Sequence, residues 1–114
     1  MSKGKETKSE KKSEMPLPSE EEGTILCVAQ RVLGGNFVEV VCSDGNKYKA
    51  MIPGKMRRRV WIHEGDLVLF LPWGTADMKG ELVHRYDEGE SRELIKRGLV
   101  PKELMDLMGG EGAV

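Results

Sequence analysis

Apolar and polar positions alternate through the middle of this chain in several strand-length pieces. Thr24 to Val32 (TILCVAQRV) is rich in β-branched and apolar residues and predicts a first strand. Its apolar residues fall on both parities, so a bulge or a strong bend is expected within it. Phe37 to Cys42 (FVEVVC) and Lys47 to Ile52 (KYKAMI) predict a second and a third strand. Between them stands Asp44-Gly45, a pair that tolerates positive φ and signals a two-residue hairpin. Leu67 to Leu71 (LVLFL) predicts a fourth strand, and Glu81 to Tyr86 (ELVHRY) an alternating last one.

The connections are legible too. Gly34-Gly35-Asn36 and His63 to Asp66 read as turns, Trp73 to Gly80 as a loop, and Pro53-Gly54 as a stop. Lys55 to Arg59 is too short for an independent helix, and Val60-Trp61-Ile62 suits a brief extended segment. Five strands with one irregular connection, between the third and the fourth, predict an all-β core. The expected architecture is a five-stranded Greek-key barrel of the OB (S1-like) type, with a small sandwich or an SH3-like barrel as alternatives. Two short helices, Glu90 to Gly98 and Pro101 to Met108, are expected to pack on the barrel, since neither is long enough to stand alone. Residues 1–22 are dominated by Lys, Glu and Ser and predict a disordered charged tail. The expected organisation is therefore a tail at 1–22, a barrel at 23–88, a helical extension at 89–108 and a flexible end at 109–114.

Charge changes this picture from scaffold to surface. The 114 residues sum to a formal net charge of −1, which excludes a protein that binds polyanions through bulk positive charge. The charges are instead segregated along the chain. Lys47 to His63 carries Lys47, Lys49, Lys55, Arg57, Arg58 and Arg59 without one acid. Residues 64–93 are acidic, with only Lys79, Arg85 and Arg92 against them. A folded domain that gathers cations in one stretch suits an anionic partner, of which nucleic acid is the commonest. Lysines on an exposed strand edge also guard against aggregation, and that reading fits Lys47 and Lys49 alone. It fits the compact KMRRR run less well. Arginine binds phosphate bidentately and stacks on bases, which favours RNA over a generic polyanion. Trp61 has two readings, stacking on an unpaired base or anchoring the arginines to the barrel. Phe37, Tyr48, Phe70, Trp73 and Tyr86 suit packing, with stacking left open at Tyr48 and Trp73.

Catalytic chemistry finds no foothold. His63 and His84 are remote from any cysteine pair or HExxH spacing, and no triad, P-loop or Cys-His arrangement is present. Asp77, Glu81, Glu64 and Asp66 suit turns and surface. No metal, no cofactor and no enzymatic activity are expected. Cys27 and Cys42 lack the spacing of a metal site or a disulfide framework and are expected as reduced, buried thiols. No apolar run approaches the length of a membrane span, so a cytoplasmic protein without membrane contact is expected.

Gly23-Thr24, the Asp44-Gly45 hairpin, Ile52-Pro53-Gly54-Lys55-Met56-Arg57-Arg58-Arg59-Val60-Trp61-Ile62 and Gly65-Asp66 resemble the translation initiation factor 1A family. That archaeal and eukaryotic family is related to bacterial initiation factor 1. The resemblance runs from about Glu20 to Tyr86, and the two helices match the family's extension of the barrel. It implies a non-enzymatic factor that binds the small ribosomal subunit at its aminoacyl (A) site and meets rRNA near the decoding centre. It would block premature tRNA entry and assist assembly of the initiation complex. Lys55, Arg57, Arg58, Arg59 and Trp61 stand on the matching motif; Lys47 and Lys49 extend the patch by charge alone. Implied partners are small-subunit rRNA, initiation factor 1 and the GTPase factors 2 and 5B, with this chain a monomer. The mixed-charge N-terminus and short C-terminus depart from the eukaryotic pattern and look closer to the archaeal one. Two rivals are a single-stranded-RNA chaperone of the cold-shock type and a protein-interaction module with a basic docking face. The Leu104-Met105-Leu107-Met108 cluster suits core packing, with partner docking as its alternative.

Overall fold

Strand β1 (Ile25–Val32) is buried on both faces from Leu26 to Ala29, and the molecule is built around that fact. The computed structural model describes residues 15–54 and 62–108. Strands β2 (Phe37–Cys42), β3 (Lys47–Met51), β4 (Leu67–Pro72) and β5 (Lys79–Arg85) complete a closed barrel in the order β1-β2-β3-β5-β4. Strand β1 pairs antiparallel with both β2 and β4, and the ring closes through a parallel pairing of β3 with β5. This is the expected five-stranded OB-type barrel.

One face of β1 sends Cys27 and Ala29 into the barrel, where they meet Val38, Val40, Ala50, Val68, Phe70 and Leu82. Its other face packs Leu26 and Val28 into a second cluster with Leu67, Leu69, Tyr86, Leu94, Val100 and Leu104. The helices α1 (Glu88–Lys96) and α2 (Lys102–Leu107) supply the last part of that cluster through Leu94 and Leu104. Each buried leucine stabilises the docking by about 2 kcal/mol, which offsets the poor intrinsic stability of such short helices. The bulge expected in β1 is present between Ala29 and Arg31. The apolar residues on both parities have a different cause, the helices on the outer face.

Helix α1 begins two residues before the expected Glu90, because Asp87 and Glu90 form a capping box. The Glu90 amide donates to the Asp87 carboxylate at 2.8 Å, and the Asp87 amide donates back to Glu90 at 3.0 Å. Strand β5 starts at Lys79, inside the expected loop, and does not alternate to its end. A register shift against β4 lets Leu82 face Phe70 inside the barrel while His84 and Tyr86 turn to the helix side.

Residues 15–22 correct the expected boundary of the disordered tail. Met15 packs on the helix-side cluster, and the Tyr86 hydroxyl donates to the Pro16 carbonyl at 2.5 Å. The Ser19 amide donates to the Thr24 hydroxyl at 2.9 Å. Burial, and then the carboxylate of Glu90, push the Tyr86 hydroxyl above its ordinary pKa, so it stays a donor.

The cysteines are a second correction. Cys27 and Cys42 form a disulfide, where reduced thiols are expected. The register explains the proximity. Leu26 accepts a hydrogen bond from the Ser43 amide, which makes the next pair, Cys27 and Cys42, a non-hydrogen-bonded one. Directly opposed residues approach most closely at such positions. Both side chains point into the barrel.

The β2–β3 turn also differs from expectation. Gly45 donates to the Cys42 carbonyl and Cys42 to that of Asn46, so the loop holds three residues, Ser43 to Gly45. Gly45 alone takes positive φ, 86°, as in a type I turn closed by a bulge. Asp44 fastens this turn. Its carboxylate accepts from the Tyr48 hydroxyl at 2.6 Å, from the Asn46 amide at 3.0 Å and from the Asn46 side chain at 3.3 Å. Partial burial raises the Asp44 pKa, but these hydrogen bonds outweigh it and leave the carboxyl below its ordinary value. A depressed folded pKa means that Asp44 contributes stability above its unfolded pKa, and the contribution disappears as pH falls through the folded one. Carbon-detected titration of Asp44 should therefore show a higher midpoint in Tyr48→Phe than in the wild type. An unchanged midpoint would mean that the Tyr48 hydrogen bond is not formed.

Candidate nucleic-acid interface

Alternation along β2, β3 and β5 sorts the barrel wall into a core side and an outer side. Val38, Val40, Ala50, Gly80 and Leu82 are buried, whereas Phe37, Glu39, Lys47, Lys49, Lys79 and Glu81 face outward. Lys47 and Lys49 share this outer face, as the strand period requires. Both are exposed, which leaves their ammonium groups hydrated and available to an anion.

The register then adds residues that are distant in sequence. Lys49 lies directly opposite Lys79 in the parallel β3–β5 pair, and Phe37 lies opposite Met51 across β2–β3. Both ammonium groups converge on the Phe37 ring, Lys49 Nζ at 5.9 Å and Lys79 Nζ at 6.0 Å from its centroid. Lys79 also pairs with Asp77 at 3.8 Å, while Glu39, opposite Lys49, pairs with Arg31 at 3.7 Å. Exposed pairs at such separations are worth little, a few tenths of a kcal/mol to about 1, so neither holds its cation firmly.

Lys55, Arg57, Arg58, Arg59 and Trp61 lie outside the described residues. The two residues that bracket the run are described. Ile52, just after β3, and Ile62 are half-buried against the same barrel core cluster. Both residues that bracket the run therefore pack on the barrel core.

Of the aromatics left open, Tyr48 is a packing residue. Its ring lies 5.0 Å from that of Phe70, and its hydroxyl is committed to Asp44, which raises the Tyr48 pKa. Trp73 is 44% exposed in the β4–β5 connection, where Met78 holds a positive φ of 58°. His63 serves a turn: its amide donates to Asp66 at 2.8 Å. His84 meets Glu90 at 3.1 Å and the Tyr86 ring edge-on. Among the described residues no group of three His, Cys, Asp or Glu side chains is placed to hold a metal ion. Nor is any helix there long and apolar enough to cross a membrane.

The family model for translation initiation factor 1A and its bacterial counterpart, initiation factor 1, matches residues 12–108, which takes in the barrel, the basic run and both helices. The chain belongs to that family. Translation initiation factor 1A of Aeropyrum pernix is 62% identical over 101 residues, covering 89% of this chain and 91% of that protein. The factor of the same name from Desulfurococcus amylolyticus is 46% identical over 95 residues, 83% of this chain and 82% of the relative. A solution structure of translation initiation factor 1 from a Wolbachia endosymbiont of Brugia malayi shares 19% identity. It aligns with a TM-score of 0.39 over 62% of this chain and 85% of that one. The fold assignment rests on this chain's own strand order. Factor 1A proteins are initiation factors and not enzymes.

Phe37 and Lys79 are the outer-face residues that sequence reasoning missed. Phe37 carries a signal in hindsight, because it shares parity with Glu39 and opposes buried Val38 and Val40. Lys79 carries none, since only the parallel register brings it to Lys49.

Proposed function

We propose that this factor occupies the A site of the small ribosomal subunit during initiation. There it contacts rRNA through Lys47, Lys49, Lys55, Arg57, Arg58, Arg59 and Trp61. Membership of the 1A family supports association with the small subunit. The observation that carries the contact surface is the outward display of Lys47 and Lys49 on a barrel strand that the KMRRR segment follows in sequence after Ile52-Pro53-Gly54. Structured RNA requires cations held at fixed spacing, and a closed barrel fixes the backbone that carries Lys47 and Lys49. Occupancy is then the mechanism: a bound factor excludes tRNA from the site, and no bond needs to be made or broken. The factor acts as a monomer in the cytoplasm alongside initiation factor 1 and the GTPase factors 2 and 5B. The sequence carries no GTP-binding motif of its own.

Titration against isolated small subunits over a salt series tests this. About five phosphate contacts give a slope of log K against log salt on the order of −4. Arg57→Ala/Arg58→Ala/Arg59→Ala should flatten that slope by about 3 and abolish one-to-one binding while the circular dichroism spectrum stays unchanged. Equal binding of wild type to any single-stranded RNA, without preference for the subunit, would replace this reading with that of a general RNA chaperone.

A further inference from the structure

Two like charges set directly opposite across a strand pair destabilise a sheet, yet Lys49 and Lys79 occupy such a position. They are not parted by an intervening acid. Glu39 pairs with Arg31, Asp77 pairs with Lys79, and no carboxylate among the described residues pairs with Lys49. Instead the two ammonium groups share one aromatic ring, Phe37, near the outer limit of a cation–π contact. The backbone that carries the ring is held from both sides. The Phe37 carbonyl accepts from the Leu33 amide at 2.9 Å, and the preceding Asn36 carbonyl accepts from Ile52 at 2.7 Å. A half-buried aromatic ring on a fixed backbone, with two loosely held cations over it, matches the chemistry of a nucleotide. The base offers a second π face, and the phosphates offer each ammonium a stronger partner than the ring.

We propose that Phe37, Lys49 and Lys79 form a subsite for one unpaired RNA nucleotide. The base stacks on Phe37, and the lysines take the phosphates on its two sides. This rests on the reading of the chain as an RNA-contacting factor and adds a contact on the barrel wall, apart from the KMRRR run. Neither lysine is then a mere edge guard, and Phe37 is not a mere packing residue.

The test uses the full chain with two probes, an end-labelled oligouridine and isolated small ribosomal subunits. Phe37→Leu keeps the apolar bulk and removes the π face. It should weaken oligouridine binding about tenfold and leave the salt slope unchanged. Lys49→Gln/Lys79→Gln should reduce the magnitude of that slope by about 2. Photocrosslinking of wild type to 5-bromouridine RNA, with the adduct mapped by mass spectrometry, gives a readout independent of variant folding and should label the peptide containing Phe37. Oligouridine affinity unchanged in Phe37→Leu, or an adduct confined to other peptides, overturns the subsite. So does selective binding of an acidic peptide in place of RNA. Wild-type affinity of both variants for the small subunit would remove the subsite and the Lys49 contact with it, and leave A-site occupancy through the other named residues intact. Phe37-dependent oligouridine binding without subunit binding would do the reverse.

Discussion

Gly80→Ala is expected to destabilise the barrel by about 3 kcal/mol, the upper end of what an overpacked core costs. Gly80 is paired with Ala50 on one side and Pro72 on the other, at the point where β5 lies between β3 and β4. A Cβ there would collide with the Leu71 carbonyl oxygen and stand 2.5 Å from Phe70 Cζ. Neither can yield cheaply. The carbonyl belongs to the neighbouring strand, and Phe70 is fully buried in the centre of the barrel. Relief requires β4 and β5 to separate, with loss of ladder hydrogen bonds and of Phe70 packing together. For a domain whose net stability is about 5–15 kcal/mol on general grounds, roughly 3 is a large share. Urea denaturation should show the midpoint falling with little change in slope. Gly34→Ala is the control, because its Cβ would meet nothing within 4 Å and its φ is not in the left-handed region. A wild-type midpoint for Gly80→Ala would contradict the close approach of β4 and β5.

The second large effect concerns the Cys27–Cys42 disulfide, which closes a ring over 15 positions of sequence. In the chain-entropy account, a cross-link of that span restricts the unfolded ensemble enough to add about 3 kcal/mol. For a domain of this size that corresponds to roughly 15 °C in Tm. Comparing the oxidised and reduced wild-type chain isolates the bond, because every other atom is retained. Both sulfurs are buried, so reduction needs reductant present while the protein is unfolded. The reduced protein should refold to the same circular dichroism spectrum with a lower denaturation midpoint. Thiol titration of the unreduced, denatured protein should find no free thiol. Two titratable thiols and equal midpoints would restore the reading of a pair of reduced cysteines.

The strands were legible because the barrel obeys a period of two, and β2 and β3 lie within a residue of where alternation puts them. The failures have specific physical causes. β1 violates the period because helices cover its outer face, and β5 violates it because a bulge turns Tyr86 away from the barrel interior. Helix α1 starts early because Asp87 serves as the cap, a role that the Asp-x-x-Glu spacing of Asp87 and Glu90 does announce. The disulfide was missed because spacing cannot say which residues oppose one another; register can. The candidate site divides in the same way. Lys47 and Lys49 follow from sequence because they alternate on one strand. The partnership of Lys49, Lys79 and Phe37 depends on a parallel pairing that no local pattern encodes.

That pairing also sets how the barrel opens. Every other seam joins antiparallel strands, whereas β3 meets β5 only from Lys49–Lys79 to Met51–Glu81, in the parallel arrangement that is weaker per residue. Two of its flanking side chains repel each other. Local opening begins where the ladder is short and its cross-strand pairs are unfavourable, so the cylinder has a built-in zip fastener along β3 and β5. An anion seated between Lys49 and Lys79 would close it. Amide exchange along that one seam would then slow on RNA binding, so that occupancy of the outer wall could be read as rigidity of the barrel.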